Sequence, residues 1–288
     1  LNAIIGFSDL MLNATPSAFL KPVYFEYTND IRQSGQDLLK MVKAASLVEF
    51  NSTDYAVYLK NVFADDPEFK GLIDTWAQEE IQHGEVLGKW ACIADPDFDF
   101  KEAIKFFRNG YQVPIEETKS TRGSLCGELV ARCVIETGTS SFYTSLGEVA
   151  KEPVLKQICA HIAADELRHY KLFYTYMKKY VEIDKLNAFQ RALVVLGRIG
   201  ESEDDELAYA FYAANEKDAQ YDRKFFAKEY LGRAAQLFSK HSIDRATAMV
   251  LKAAGIRPRG LLMFIASTIS WNTFRAKRWT YSRGLISS

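Results

Sequence analysis

The sequence predicts an all-α fold in which a four-helix bundle is extended by further helices at both ends. Apolar residues recur at helical spacing along most of the 288 residues, and no stretch alternates apolar and polar residues for long enough to indicate a sheet. The seven prolines fall mostly between the helix-like runs. Because 48% of the residues are apolar, the chain can bury a sizeable core.

Helical periodicity divides the chain into a series of predicted helices, some with a recognisable start signal. Asp66 followed by Pro67 is a typical start, since an acidic residue caps the helix and proline suits the first helical position. The segment DPDFDF at 95–100 is a loop that leads into another start. The predicted helices lie near 2–13, 24–61, 67–91, 100–110, 123–149, 152–181, 186–199, 204–214, 219–239, 243–254 and 260–278.

The N-terminal helices contain segments that resemble the dimerisation helices of sensor histidine kinases, namely LNAIIGFSDLML and YTNDIRQSGQDLLKMV. The phospho-accepting histidine of that family lies just upstream of the first segment, and no histidine precedes His83 in this chain. We therefore expect residues 1–42 to form a helical appendage without phosphotransfer activity. It would support dimerisation or pack on the main body.

Two Glu-x-x-His motifs lie in the middle of the chain. QEEIQHGEVL contains Glu80 and His83, and AADELRHYKL contains Glu166 and His169. Residues three apart on a helix project from the same face, so each pair can bind one metal ion.

A two-metal site in a four-helix bundle also needs one glutamate from each of the other two helices. Glu49 lies 31 residues before Glu80, and Glu136 lies 30 residues before Glu166. These intervals suit two antiparallel helix pairs, which place the paired residues at similar depth. Both added glutamates have apolar or small neighbours, among which an unpaired carboxylate is costly to bury. Asp54 is the alternative to Glu49.

This predicted ligand set indicates the class of metal. Four carboxylates and two imidazoles without a thiolate favour iron, with manganese as the alternative, over structural zinc. The four cysteines form no C-x-x-C pair, and we expect them to be small buried residues in a reducing compartment.

Charge and hydropathy limit the cellular locations and the classes of binding partner that fit this sequence. The longest apolar run, LLMFIASTISW at 261–271, is shorter than the roughly 18 residues of a membrane span. Since the N-terminus also lacks a basic region typical of a signal peptide, we expect a cytoplasmic protein.

The C-terminal end of the chain is basic, with eight basic residues from Arg245 to Arg283 and no acidic residue after Arg245. We expect no nucleic-acid partner. We expect the basic end to bind an acidic protein or an anionic membrane surface. The alternative is that it is exposed to solvent without a partner.

The residues around the two motifs resemble the soluble acyl-[acyl-carrier-protein] desaturases over about residues 43–180. The similar segments are WAQEEIQHGEVLGKW (76–90), ETGT (136–139) and AKEPVLKQICAHIAADELRHYKLF (150–173). The residues that match metal ligands of that family are Glu80, His83, Glu136, Glu166 and His169, with Glu49 aligned by order alone.

The resemblance also assigns two supporting roles. Thr139 matches a hydroxyl associated with the oxygen-binding pocket, so we expect it to assist oxygen activation. Asp165 matches the acid that precedes the second-motif glutamate, and we expect it to orient a ligand histidine by a hydrogen bond.

What the resemblance implies is a ferritin-like bundle over residues 43–182, followed by a C-terminal helical extension with a basic tail over 183–288. It implies two iron ions, dioxygen and an external electron donor such as ferredoxin. The family inserts a cis double bond into acyl chains on acyl carrier protein, which the basic tail would bind. A free apolar substrate is the alternative. We also expect a homodimer.

Other functions stay open on this sequence. A hydroxylase or N-oxygenase would use the same scaffold. Some N-oxygenases of this fold carry a third histidine near the second motif, but His161 lies five residues before Glu166 and points away from it. The remaining alternatives are a ferritin-like or rubrerythrin-like ferroxidase, although the C-x-x-C pairs of rubrerythrins are absent, and a helical scaffold without catalysis.

Overall fold

The structure, a computed structural model, describes residues 2–14, 22–201 and 205–286. Within these ranges the regular elements are helices and there is no strand, which confirms the predicted all-α class. The start of the predicted helix at 204, residues 1 and 15–21 of the predicted appendage, and the side chain of Arg283 lie outside what is described. The helices are α1 (Asn2–Ala14), α2 (Pro22–Phe50), α3 (Ser52–Val62), α4 (Pro67–Ala94), α5 (Phe100–Gly110), α6 (Leu125–Val149), α7 (Pro153–Asp184), α8 (Ala188–Gly200), α9 (Asp205–Asn215), α10 (Arg223–Leu237), α11 (Lys240–Ala253) and α12 (Gly260–Ile286).

The helix predicted over 24–61 is in fact two helices that meet at Asn51. The Arg108 side chain donates to the Phe50 carbonyl oxygen at 3.2 Å and to Asn51 Oδ1 at 3.3 Å. The Asp54 amide bonds the Asn51 carbonyl oxygen at 3.1 Å, one residue short of the α-helical partner. A side chain from a distant helix therefore ends α2.

The N-terminal helix α1 packs against α2. Helix α2 is continuous across residue 42, where the sequence analysis ends the appendage. Residues 22–42 of the predicted appendage thus belong to the same helix as the first residues of the bundle.

Four helices, α2, α4, α6 and α7, form the central bundle. Helices α2 and α4 run antiparallel, because Lys43 of α2 pairs with Asp95 at the end of α4, whereas Phe50, at the other end of α2, lies against Gly84 in the middle of α4. Helices α6 and α7 are joined by residues 150–152 and pack along their length, and α4 also packs against α7.

Glycine allows α2 and α4 to approach closely at one level. A Cβ atom on Gly84 would lie 2.6 Å from the backbone nitrogen of Phe50, which is closer than real Cβ contacts. Only a residue without a side chain fits between these backbones.

A polar layer divides the apolar core of the bundle into two clusters. One cluster includes Leu87 of α4 and Leu146 of α6, and the other includes Ile73 of α4 and Leu129 of α6. The two motif helices and their partners carry buried polar residues between these levels. The core therefore holds a polar site closed on both sides by packed apolar residues.

The C-terminal helices surround this bundle. Helix α9 packs on α2, α11 packs on α6, and α12 packs on α10 and α11. Within the described ranges, none of the helices combines the length and apolar character that crossing a membrane requires.

Candidate metal centre

Six glutamate and histidine side chains converge in the polar layer, and none is more than 6% exposed. Each of the four bundle helices supplies at least one of them. They are Glu49 from α2, Glu80 and His83 from α4, Glu136 from α6, and Glu166 and His169 from α7. The structure thus brings together all six residues that the sequence analysis selected as ligands. Asp54, the alternative to Glu49, is not part of the cluster.

The six side chains form two overlapping groups of four. In each group the potential ligand atoms all lie within 4.8 Å of one another. Glu80 and Glu166 belong to both groups, and a carboxylate with two oxygens can bind two neighbouring ions. The residues that belong to one group only are Glu49 with His83, and Glu136 with His169.

The cluster concentrates titratable groups in a buried place, and burial together with neighbouring charges shifts the pKa of Glu49, Glu80, Glu136 and both histidines. Burial raises the pKa of Glu49 and of Glu136 well above the usual carboxyl range, and neighbouring carboxylates raise both further. Burial would also raise the pKa of Glu80, but its close contacts with Glu49 and with the two histidines outweigh burial and lower that pKa. Burial lowers the pKa of His83 and His169, yet the surrounding carboxylates raise both overall. Without a cation, the cluster therefore retains protons.

Each histidine is oriented by an acid from the opposite helix. His83 Nε2 donates to Asp165 at 3.1 Å, and His169 Nε2 donates to Glu79 at 2.7 Å. Arg168 pairs with both of these acids. Nδ1 of each imidazole then faces the carboxylates, which is the arrangement that a metal-binding histidine needs.

Sequence reasoning missed two members of this network. Glu79 precedes the first-motif glutamate as Asp165 precedes the second, and that repeated position was a usable signal. Tyr143 donates from its hydroxyl to Glu49 Oε1 at 2.5 Å. It lies seven residues after Glu136, two turns along the same helix face, so periodicity would have pointed to it.

The Thr139 side chain lies at the edge of the cluster. Its hydroxyl is 2.9 Å from Glu166 Oε2, and it is also 3.2 Å and 3.3 Å from the carbonyl oxygens of Glu136 and Ile135. The hydroxyl thus has a choice of acceptors, one of which is a shared carboxylate of the cluster.

Two buried atoms of the cluster have no hydrogen bond, Glu166 Oε1 and His169 Nδ1. Glu80 Oε1 lies 3.1 Å from His169 Nδ1 but outside the direction that a hydrogen bond requires. Buried polar atoms are nearly always bonded, so these two indicate a further partner. A pair of divalent cations fits the donors, because four ionised carboxylates balance two such ions when the imidazoles are neutral.

A cavity of about 230 Å³ lies beside the cluster. Its inner wall includes Glu136, Thr139 and Glu166, and its other end reaches the exposed Pro114 and Thr121 between α5 and α6. A small molecule in this cavity would touch the cluster directly.

Comparison with known families covers about half of the chain. The sequence profile described as fatty acid desaturase matches residues 51–200, which is 150 of the 288 residues. All the clustered side chains lie in that range except Glu49, which precedes it by two residues. No curated protein matches the chain.

Proposed function

The chain belongs to the fatty acid desaturase family, and from this we propose that it is a di-iron oxidase that uses dioxygen to oxidise an organic substrate. The observation that carries the proposal is the pair of four-residue groups that share Glu80 and Glu166. The ligand types favour iron, and manganese is the alternative. The adjoining cavity supports an oxidase over an iron-storage protein, because it offers a place for an organic molecule.

Two iron ions bound there would supply the electrons and Lewis acidity that activate dioxygen, which amino-acid side chains do not provide. The residues of the chain would hold the ions and orient the side chains that bind them. Asp165 and Glu79 each accept the Nε2 proton of a histidine, which keeps Nδ1 free as the donor atom. The packed apolar clusters on both sides exclude bulk water.

Thr139 lies where the cluster meets the cavity. Its hydroxyl can hold a proton at Oγ1 against Glu166 and can present it to a molecule in the cavity. We propose that it is the proton-handling group nearest to the substrate.

The electron count requires a reductant. Full reduction of dioxygen to two water molecules takes four electrons, and removal of two hydrogens from a substrate supplies only two. We propose that an external donor such as ferredoxin supplies the other two. The four cysteines are unpaired, three of them buried, and give no internal dithiol.

Acyl groups are the first substrate class to test, either as free acids or on acyl carrier protein. We propose that the basic C-terminal helix α12 binds an acidic carrier, or otherwise an anionic membrane surface, because Arg275 and Lys277 lie on a helix without acidic residues. Apolar side chains of α12, such as Phe264, are also exposed. We further propose that the enzyme is a homodimer.

Metal analysis of the purified protein tests the proposal directly. We expect about two iron ions per chain. Glu80→Ala and Glu166→Ala should each lose most of the iron, because each removes a carboxylate that belongs to both four-residue groups and would hold both ions. His161→Ala, which removes an exposed histidine of α7, is the matched control and should keep both ions. A wild-type protein that binds no metal would refute the di-iron site.

Product mass then identifies the reaction. Reduced protein is incubated with dioxygen and acyl substrates, and the products are analysed by mass spectrometry. Loss of two hydrogens indicates a desaturase, and gain of one oxygen indicates a hydroxylase. Iron-loaded protein that oxidises no free or carrier-bound acyl substrate would refute acyl oxidation.

A further inference from the structure

A buried arginine without a partner faces the cavity beside the cluster. Arg132 lies on α6, one turn before Glu136, and is 5% exposed. Its side chain makes no hydrogen bond or ion pair with any described residue, and its Nε atom is fully buried. The guanidinium lies over the rings of Tyr55 and Trp76, 4.6 Å and 5.5 Å from their centroids. These cation–π contacts stabilise the charge but leave its N–H groups unbonded.

A second donor in the same wall is also unbonded. Trp76 Nε1 is buried and has no hydrogen-bond partner among the described residues. Guanidinium and indole N–H groups donate and cannot accept. These two donors, Arg132 and Trp76, therefore call for a ligand that accepts hydrogen bonds.

Several other charged residues around the cavity are bonded to residues of the chain. Glu206 accepts from the Tyr55 hydroxyl at 2.8 Å through Oε2. Arg122 pairs with Glu201. Glu128 accepts from the Tyr58 hydroxyl at 2.9 Å and from the Ser120 hydroxyl at 2.8 Å. Arg122 lines the same cavity and forms an ion pair, whereas Arg132 forms none with the described residues.

We propose that the cavity binds a small organic acid whose carboxylate pairs with Arg132. A planar guanidinium forms two parallel hydrogen bonds to a carboxylate, and the aromatic rings that cover its face favour approach of a ligand to its edge. This assignment of substrate class rests on the proposed oxidase function, whereas the binding itself does not depend on it.

Size and position limit the acid to a short one. Arg132 precedes Glu136 by four residues, which is about 6 Å along the helix axis. The carbon to be oxidised therefore lies a few bonds from the carboxylate. A cavity of about 230 Å³ is below the roughly 300–1,000 Å³ typical of drug-sized ligands.

The chemistry of the carboxyl group also separates a free acid from a carrier-bound chain. In an acyl thioester that carboxyl carbon is uncharged and cannot form an ion pair with a guanidinium. A free short-chain acid satisfies Arg132, and a thioester leaves it buried without a counter-charge.

Calorimetric titration of the iron-loaded protein tests this proposal with matched ligands. Hexanoate and benzoate are compared with hexanamide and benzamide, which have similar shapes and no charge. We expect both acids to bind and both amides to bind at least about tenfold more weakly. Arg132→Gln should weaken acid binding by about 10- to 100-fold, and Arg132→Lys should lie between this variant and wild type. Arg122→Gln is the control, and it should change the affinity by less than about threefold because that arginine is already paired.

Equal affinity for acids and amides, or no acid binding at millimolar concentration, would overturn the proposal. Unchanged acid binding in Arg132→Gln would also overturn it, because the carboxylate would then lie on the metal ions. If Arg132→Gln fails to fold, as shown by circular dichroism, the comparison of acid with amide in the wild type decides. Iron content is measured in the same samples. Protein without iron that binds acids through Arg132 refutes the oxidase and supports the acid site, and iron-loaded protein without acid binding refutes only the acid site.

Discussion

The two acids that orient the histidines give the sharpest test of the metal centre. Asp165→Asn and Glu79→Gln keep the size of each side chain but remove its charge and allow the amide to donate instead of accept. An amide that donates to Nε2 would force the imidazole into the wrong tautomer for a metal ligand. Each substitution therefore acts on the metal without removing a ligand.

The expected loss follows from the geometry. Replacing a residue that orients a metal ligand typically weakens metal binding by about 10- to 100-fold, or about 1.4–2.8 kcal/mol. The Glu79 contact with His169 is 2.7 Å and the Asp165 contact with His83 is 3.1 Å. Shorter charge-assisted hydrogen bonds are stronger, so we expect Glu79→Gln to have the larger effect.

The assay is anaerobic titration of ferrous iron against a competing chelator, with both binding steps resolved. Because His83 and His169 belong to different four-residue groups, each variant should weaken mainly one of the two steps. Glu85→Gln, which removes an exposed acid of the same helix α4, is the control and should bind iron as the wild type does. Wild-type affinities in both variants, or an equal loss in the control, would refute the reasoning.

Three further predictions concern stability. Tyr143→Phe removes the donor to the buried Glu49 and should lower the unfolding free energy of the metal-free protein by about 1–3 kcal/mol in urea denaturation; an unchanged midpoint would contradict it. Gly84→Ala places a Cβ against the backbone of Phe50 and should lower the unfolding free energy by about 1–3 kcal/mol, as measured by thermal unfolding. Unchanged stability would show that α2 and α4 can move apart to accommodate the added atom. For Asp66, burial raises the pKa, but hydrogen bonds from a lysine, a backbone amide and a tyrosine outweigh it and lower the pKa below 3.8. The Asp66 carboxylate therefore stabilises the folded protein above pH 3.8, and this stability is lost as the pH falls through the pKa of Asp66 in the folded state. In urea titrations at acid pH, the unfolding free energies of the wild type and Asp66→Asn should converge. A difference that stays constant with pH would contradict this.

Much of the candidate metal centre could be predicted because its information is local. Glu80 and His83 project together from α4 through helical geometry alone, and Glu166 and His169 do the same from α7. The roughly equal intervals to the two remaining glutamates predicted their depth in the bundle. Helical periodicity likewise predicted the all-α class.

Other features depend on helices that are distant in sequence. Asp165 contacts His83 of α4 and not the histidine of its own helix. The end of α2 is set by Arg108, which contacts it from α5. Neither pairing follows from periodicity, because it depends on how far each helix is rotated and shifted against its neighbour.

The sequence alone determined that this chain forms helices and which side chains share a face on each of them, because 3.6 residues per turn fix those relations locally. The tertiary structure decided which faces meet. It joined Tyr143 to Glu49 and left Arg132 buried without a counter-charge. These outcomes follow from the packing of two apolar clusters around a polar layer, in which every helix position depends on all the others.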